Sequence, residues 1–275
     1  MKFMYLGTSA SEGYPAYFCE CENCKKARKL GGKNIRGRAQ AIINNELLID
    51  WNADTLSRIN KYSFSFSALK AVLITHTHID HFLPSDFKYR KPPYAFCLEG
   101  KGKLNIYGSP DIKKPLEFAL EENEDYGIKI NILKPYEPTK IGDYTVTALK
   151  ANHGTENPYN YIIEHGGKTI LYAHDTGIFL DETVHYLKKS GVKFDFVSLD
   201  CTEGTSEMHY PTHMNLERNI ITKQMLIDNK NIDENTVFVL SHFTHGGENT
   251  LYDDMKRVGE QHGFGVAYDG MMVEI

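Results

Sequence analysis

The sequence predicts an α/β protein, a layered sandwich with a chemical site along one sheet edge. Three observations carry that expectation. Short apolar, strand-like runs alternate with helical stretches along the whole chain. Residues with ligating groups stand where several of those runs stop. The 275 residues, 41% hydrophobic and 24% charged, supply a real core within a soluble composition. No repeat, low-complexity stretch or linker divides the chain, so one domain over residues 1–275 is expected.

Lys2 to Leu6 is bulky and apolar and breaks at Gly7-Thr8-Ser9-Ala10-Ser11-Glu12-Gly13, a strand followed by a tight loop that carries the cysteine cluster. Ala39 to Ile43 and Glu46 to Asp50, separated by Asn44-Asn45, form a hairpin pattern, and Asp54 to Tyr62 a short helix. Ala71 to Ile74 is the aliphatic run of a buried strand. Leu104 to Tyr107, Tyr144 to Lys150, Tyr159 to Glu164 and Thr169 to Ala173 are further strands, interrupted by a helix over Pro115 to Glu122. Phe194 to Leu199 and Thr236 to Leu240 are strands on either side of a helix over Asn215 to Leu226. The last strands are Val266 to Tyr268 and Met272 to Ile275, joined through Asp269-Gly270.

The formal charge of -5 supplies no basic face for a polyanion, so a small substrate is expected and nucleic acid disfavoured. No apolar run has the length of a membrane helix, and Met1 to Leu6 lacks the pattern of a signal peptide, so a cytoplasmic protein without a membrane partner is expected. Five cysteines, an odd count, argue against a disulfide framework. Three of them crowd together as Cys19, Cys21 and Cys24, which in a reducing compartment suggests metal.

The chemistry concentrates in His76-Thr77-His78-Ile79-Asp80-His81. His76 and His78 lie two apart on extended chain, so both imidazoles project to one side and can share an ion. Asp80 and His81 follow in the turn and can face a second. A lone strand histidine is usually structural, but three histidines and an aspartate in one short run after a buried strand point to metal.

Here the sequence closely resembles the metallo-β-lactamase superfamily, whose HxHxDH signature is matched in full by His76, His78, Asp80 and His81. The resemblance implies a four-layer αββα sandwich and later ligands in the order His153, Asp175 and His242, each at a strand end. It implies one ion on His76, His78 and His153, and a second on Asp80, His81 and His242, with Asp175 bridging. Two ions sharing a water would generate a bridging hydroxide for hydrolysis of an ester or phosphodiester. His174, beside Asp175, points to the opposite face of its strand and is read as structural.

Three thiolates leave a structural zinc one ligand short. Cys201 and Cys97 are candidates, the latter in a stretch read as buried, but His245, three residues past His242, is the better one. A CxCxxC loop with a distal HxxH pair resembles the PhnP-type phosphodiesterases, where the equivalents of Cys19, Cys21, Cys24 and His245 hold a structural zinc. The plain alternative is an oxidisable surface cysteine triple.

His213, in Thr-His-Met-Asn-Leu before a helix, matches a setting in which phosphodiesterase branches of the superfamily place a phosphate-contacting general acid, a role suited to imidazole. Asp80 and His213 are therefore the expected catalytic residues, with His209 the weaker alternative to His213. The resemblance suggests a small phosphodiester substrate, a phosphoribosyl 1,2-cyclic phosphate or a cyclic nucleotide, two catalytic ions of manganese, zinc or iron, and a homodimer. The Ser9 to Gly13 loop and Lys88-Tyr89-Arg90-Lys91 are weaker candidates for phosphate contact. Other readings are an endonuclease similar to the tRNA 3′-processing enzymes, which the acidic balance and lack of a long Gly/Pro-rich arm disfavour, and a diiron redox protein, which usually has Glu in place of His78. A non-catalytic accessory protein similar to PqqB predicts loss of catalytic ligands, whereas all seven positions are filled here.

Overall fold

Two seven-stranded sheets stack face to face in the computed structural model, which describes residues 1–122, 124–207 and 210–275. The first takes β1 (Lys2–Gly7), β2 (Gln40–Ile43), β3 (Leu47–Ile49), β4 (Ala71–Leu73), β5 (Leu104–Gly108) and β6 (Ile128–Ile132). The second takes β7 (Thr139–Ile141), β8 (Tyr144–Lys150), β9 (Tyr159–His165), β10 (Lys168–Ala173), β11 (Phe196–Asp200), β12 (Val237–Ser241) and β13 (Gly265–Val266), and β14 (Met272–Glu274) returns to the first sheet beside β1. β3 to β6 run parallel, as do β10 to β13, and the remaining pairs are antiparallel. The helices are α1 (Glu22–Leu30), α2 (Thr55–Tyr62), α3 (Lys113–Ala119), α4 (Asp181–Ser190), α5 (Leu216–Asp228) and α6 (Tyr252–Gly259).

The two-residue period of extended chain divides each strand between two cores. Ile170 and Tyr172 of β10 face the first sheet, together with Phe3, Tyr5, Ala41 and Ile43, and build the core between the sheets. Leu171 and Ala173 turn the other way, onto Leu187 of α4, Leu226 of α5 and Met255 of α6. On the outer face of the first sheet Ile42, Leu48, Val72 and Ile106 pack with Leu116 of α3. The result is the expected αββα order of layers, with each buried large aliphatic side chain contributing about 1.5–3 kcal/mol.

Asn44 and Asn45 close the β2–β3 hairpin with φ of 51° and 60°, a left-handed pair that Asn tolerates. Three expectations need correction. The helix placed over Pro115 to Glu122 lies at Lys113–Ala119, because a 3-10 turn at Pro110–Ile112 starts it early and Pro115 falls in the first turn, where its missing N–H costs nothing. The strand placed over Val266 to Tyr268 lies at Gly265–Val266, and the segment through Asp269-Gly270 joins it to β14 across the two sheets, since β13 pairs with β12 and β14 with β1. Cys97 is exposed with φ of 58°, outside any strand, so the buried setting read from Ala95-Phe96 does not form. No helix among the described residues is long and apolar enough to cross a membrane.

Candidate metal centre

Parallel strands end on the same edge, and that edge carries the ligand-type side chains. β4 runs into Thr75-His76, and the chain then turns so that the amides of His81 and Phe82 both donate to the His78 carbonyl, at 3.0 and 2.8 Å. β8 leads to His153, β10 to Asp175 and β12 to His242. Asp175 and His242 sit at φ of 50° and 65°. Left-handed non-glycine residues are uncommon, and two at the exits of β10 and β12, which flank β11, mark a place where backbone comfort yields to side-chain aim.

The seven residues gather in two groups, His76/His78/His153 and Asp80/His81/Asp175/His242, within each of which the ligand atoms lie no more than 4.8 Å apart. His76 Nε2 is 3.0 Å from His78 Nδ1, and His153 Nε2 is 3.1 Å from the same atom. Burial and the neighbouring imidazoles hold His76 well below the usual histidine range, and burial likewise lowers His153. Both therefore present neutral rings. Asp175 spans the groups, with Oδ2 3.5 Å from His76 Nε2 and 2.5 Å from His81 Nε2, and Oδ1 3.1 Å from His242 Nε2.

Further residues aim these rings. Asp50 is fully buried and accepts the His81 Nδ1–H at 2.7 Å while also accepting the Thr75 amide at 2.8 Å. His242 Nδ1 meets Thr202 Oγ1 at 2.9 Å, and His76 Nδ1 meets Thr75 Oγ1 at 3.0 Å. With Nδ1 occupied, Nε2 of each of these three rings carries the lone pair, the arrangement by which proteins fix the tautomer of metal-bound histidine.

Divalent ions fit this donor set. His81 Nε2 and His242 Nε2 are buried atoms without a hydrogen-bond partner, although carboxylate oxygens lie close to both: the contacts are near but misaligned for hydrogen bonding. Three ring nitrogens meeting at one point cannot all be donor and acceptor to one another, whereas a tetrahedral ion with bonds of 2.0–2.1 Å spaces its nitrogen ligands about 3.3 Å apart. Burial opposes a charged His81 or His242, yet Asp175, with Asp80 beside His81, pushes both up. The site calls for positive charge where the Nε2 atoms meet the carboxylates, and a cation answers that without protonating the ligands.

His213 borders the same centre. Its Nδ1 donates to Asp200 Oδ2 at 3.0 Å, and Asp200 also accepts the amides of Thr202 and Met214 at 2.9 and 3.0 Å. Burial disfavours the imidazolium, but Asp200, with Asp175 and Glu203, outweighs it and carries His213 up to about 9. His209 lies outside the described residues. His174 is buried and bonded through Nε2 to Ser198 Oγ at 2.8 Å, with its ring beside Tyr172 and 6.2 Å from that of His242, and it is in neither ligand group.

The cysteine set also converges. Cys19, Cys21, Cys24 and His245 offer four atoms within 4.8 Å of one another, and the sulfurs of Cys19 and Cys21 are each 3.5 Å from His245 Nδ1. A zinc with Zn–S of 2.3 Å and Zn–N near 2.05 Å spaces sulfur from nitrogen by about 3.6 Å. Cys21 caps α1, accepting the Cys24 amide at 3.4 Å, so the last two cysteines belong to a helix start and not to open loop. Burial opposes the Cys21 thiolate, but the hydrogen bonds from Cys24 and His245 bring it down to about 6, while burial pushes Cys24 up to about 12. Closely spaced thiols resist joint ionisation unless a cation is present. Cys201 is buried in the second-sheet core and Cys97 exposed, and neither is in the set.

Sequence reasoning missed Asp50, Thr75, Asp200 and Thr202 as orienting groups. Asp50 and Asp200 each follow an apolar run of their own, and that was the available signal. In the Lys88 to Lys91 stretch, Arg90 is spent on the carbonyls of Tyr126, Gly127 and Gly102, away from the centre, whereas Ser11 of the Ser9 to Gly13 loop lines it.

The family model described as the β-lactamase superfamily domain matches residues 48–232. No curated protein sequence matches the chain. Among solved structures, a diphosphatase from the PhnP family is 19% identical over 100% of this chain and 97% of its own, with a TM-score of 0.76. Zinc-bound PqqB from Methylobacterium extorquens is 16% identical over 100% of both chains, with a TM-score of 0.77. The short form of human tRNase Z is 14% identical over 100% of this chain and 99% of its own, with a TM-score of 0.64.

Proposed function

On the premise that this chain belongs to the β-lactamase superfamily and has its hydrolase fold, we propose that it is a two-metal phosphodiesterase acting on small phosphodiesters, cyclic phosphates among them. The observation that carries the reading is the pair of adjoining ligand groups spanned by Asp175, with a carboxylate-bound imidazole, His213, on their border. The likeness to a PhnP-family diphosphatase agrees with phosphoryl chemistry.

In this reading His76, His78 and His153 would hold one divalent ion and Asp80, His81 and His242 a second, with the Asp175 carboxylate standing between the two groups. Bound ions would lower the pKa of a shared water and offset charge on the phosphoryl oxygens. The protein's own part is orientation and proton supply. Asp50 and Thr202 keep the His81 and His242 lone pairs turned inward. His213 holds its proton against Asp200 and leaves its other nitrogen to protonate the departing alcohol, a role for which Asp200 keeps it charged and from which bound cations pull it back toward neutrality. Asp80 acts as ligand and as the carboxylate beside His81. A structural zinc on Cys19, Cys21, Cys24 and His245 ties the N-terminal loop to the segment that carries His242.

The test is hydrolysis of bis(p-nitrophenyl) phosphate by metal-loaded protein, with Asp175→Ala expected to lose both bound metal and rate. Full activity in that variant overturns the two-metal assignment. Metal analysis should show a further zinc that disappears in Cys21→Ser, and an unchanged count there removes the structural site. Faster cleavage of a precursor tRNA than of any small diester would favour the endonuclease reading instead.

A further inference from the structure

His245 presents its two ring nitrogens to different groups. Nδ1 faces the sulfurs of Cys19 and Cys21, each at 3.5 Å, and Nε2 faces the Glu12 carboxylate, with Oε1 at 3.8 Å. The backbone under the ring is anchored separately. Asn23, between Cys21 and Cys24 in the sequence, donates from Nδ2 to the carbonyls of His245 and Gly247 at 2.9 and 3.0 Å. What those bonds leave open is the turn of the ring and the choice of nitrogen that carries its proton.

The Glu12 carboxylate is held in place. Oε1 accepts the Thr244 hydroxyl and Oε2 the Ser11 hydroxyl at 3.4 Å, while Thr244 itself accepts the Gly246 amide at 3.2 Å. The loop beneath it is fixed as well, by the Ala10 amide on the Phe243 carbonyl at 3.0 Å and by Arg38 Nε on the Ser11 carbonyl at 2.9 Å. A carboxylate oxygen accepts two hydrogen bonds, so Oε1 keeps a lone pair beyond the Thr244 bond. Its 3.8 Å separation from Nε2 exceeds a hydrogen bond of about 3.0 Å by about 0.8 Å, which a small rotation of either side chain closes.

We propose that Glu12 is a positioning residue for the cysteine site: its carboxylate receives the Nε2–H of His245 and so leaves the Nδ1 lone pair directed at the point the three sulfurs surround. The inference rests on the structural-zinc reading of that site. A metal-binding histidine is generally aimed by an acceptor on its other nitrogen. Asp50 stands in that place for His81 on the Nδ1 side, at 2.7 Å, and Glu12 for His245 on the Nε2 side, the reverse arrangement. The nitrogen left for the metal is reversed accordingly. Without the carboxylate the His245 ring is free to turn, or to carry its proton on Nδ1, where it blocks the ligand atom.

The experiment loads the full chain with cobalt(II). A thiolate-to-cobalt charge-transfer band reads the cysteine site alone, because the two His/Asp groups contain no sulfur. Chelator competition followed at that band should show Glu12→Ala about 10- to 100-fold weaker than wild type. Glu12→Gln is expected to stay near the wild-type affinity, since its amide oxygen can accept from both Thr244 and His245 while its amide N–H donates to Ser11. Metal at the two His/Asp groups should be retained in both variants, which a general loosening of the fold would not allow. Wild-type affinity in Glu12→Ala overturns the proposal, as does a Glu12→Gln as weak as Glu12→Ala, or a loss shared equally by the His/Asp groups. Glu12→Asp, with its carboxylate one methylene short, carries the same expectation as Glu12→Ala should the latter not fold. A wild-type chain without the band shows instead that the structural-zinc reading has failed, and the Glu12 assignment falls with it.

Discussion

Asp50→Asn separates metal orientation from folding more cleanly than any ligand deletion. Asp50 sits at φ of 67°, a region Asn enters as readily as Asp, so the backbone should not object. The Asn carbonyl can keep the Thr75 amide and hydroxyl bonds now made at 2.8 and 2.9 Å. What changes is the atom 2.7 Å from His81 Nδ1: a carboxylate oxygen becomes an amide nitrogen, and two donors face each other. His81 can relieve this by moving its proton to Nε2, which removes the lone pair aimed at Asp175 and Asp80. Loss of such an orienting partner typically costs 10- to 100-fold in metal affinity, or about 1.4–2.8 kcal/mol. Competition with a chromogenic chelator should show one of the two proposed catalytic ions weakened by that factor, the other less affected and the proposed cysteine-held zinc unchanged. Wild-type affinity for both catalytic ions would refute the tautomer argument.

Asp200→Asn should slow diesters with alkyl leaving groups about 100-fold, because His213 loses the acceptor at 3.0 Å that keeps it protonated. Diesters that release p-nitrophenolate need no such proton, and an equal loss on both would reject His213 as the acid. Gly177→Ala places a Cβ 2.1 Å from the Pro211 carbonyl oxygen and 3.0 Å from Asn152 Nδ2, at the joint of the loops bearing His153, Asp175 and His213. A displacement of order 1 Å there should cost about 100-fold in rate while circular dichroism shows the fold retained; an unimpaired rate would mean that the loops absorb the methyl. Away from the centre, Asp195 accepts Lys168 Nζ at 2.7 Å and the Thr169 amide at 2.8 Å. Burial opposes its charge, but these partners hold it below the usual carboxylate range. Its contribution is therefore present above the unfolded value near about 3.9 and is lost as pH falls through the lower folded value. The stability difference between Asp195→Asn and wild type, at most about 1 kcal/mol for so exposed a pair, should be full at neutral pH and close in acid, and denaturant melts at pH 7 and pH 3 would read it.

The ligand-type residues were legible in the sequence because they occupy the first residues after apolar runs, where period and composition change together. The α1 helix was not, since Cys21 caps it in place of the usual Ser, Asp or Asn. The placement of β13 and β14 in different sheets was also hidden, because Asp269-Gly270 carries a turn signal whichever strands follow it. Asp269 spends its carboxylate on the Gly37 amide at 2.8 Å and on Arg58 at 2.9 Å, contacts between distant segments that no local pattern announces.

The orienting acids show a regularity that explains both why they were missed and where such groups should be sought. Asp50 follows β3, whose parallel neighbour β4 delivers His76 to His81. Asp200 ends β11, whose parallel neighbour β12 delivers His242, with Asp200 in register with Ser241. In each sheet the acid stands one strand over from the ligands it serves, on the same edge, because parallel neighbours carry their ends to the same level. An antiparallel neighbour would end at the far edge, and β9, between β8 and β10, provides no ligand at this one. A polar group ending an apolar run in the parallel half of such a sheet is thus a candidate orienter of whatever the adjacent strand presents. Asp50→Asn and Asp200→Asn test the two instances independently, since each acid belongs to a different sheet.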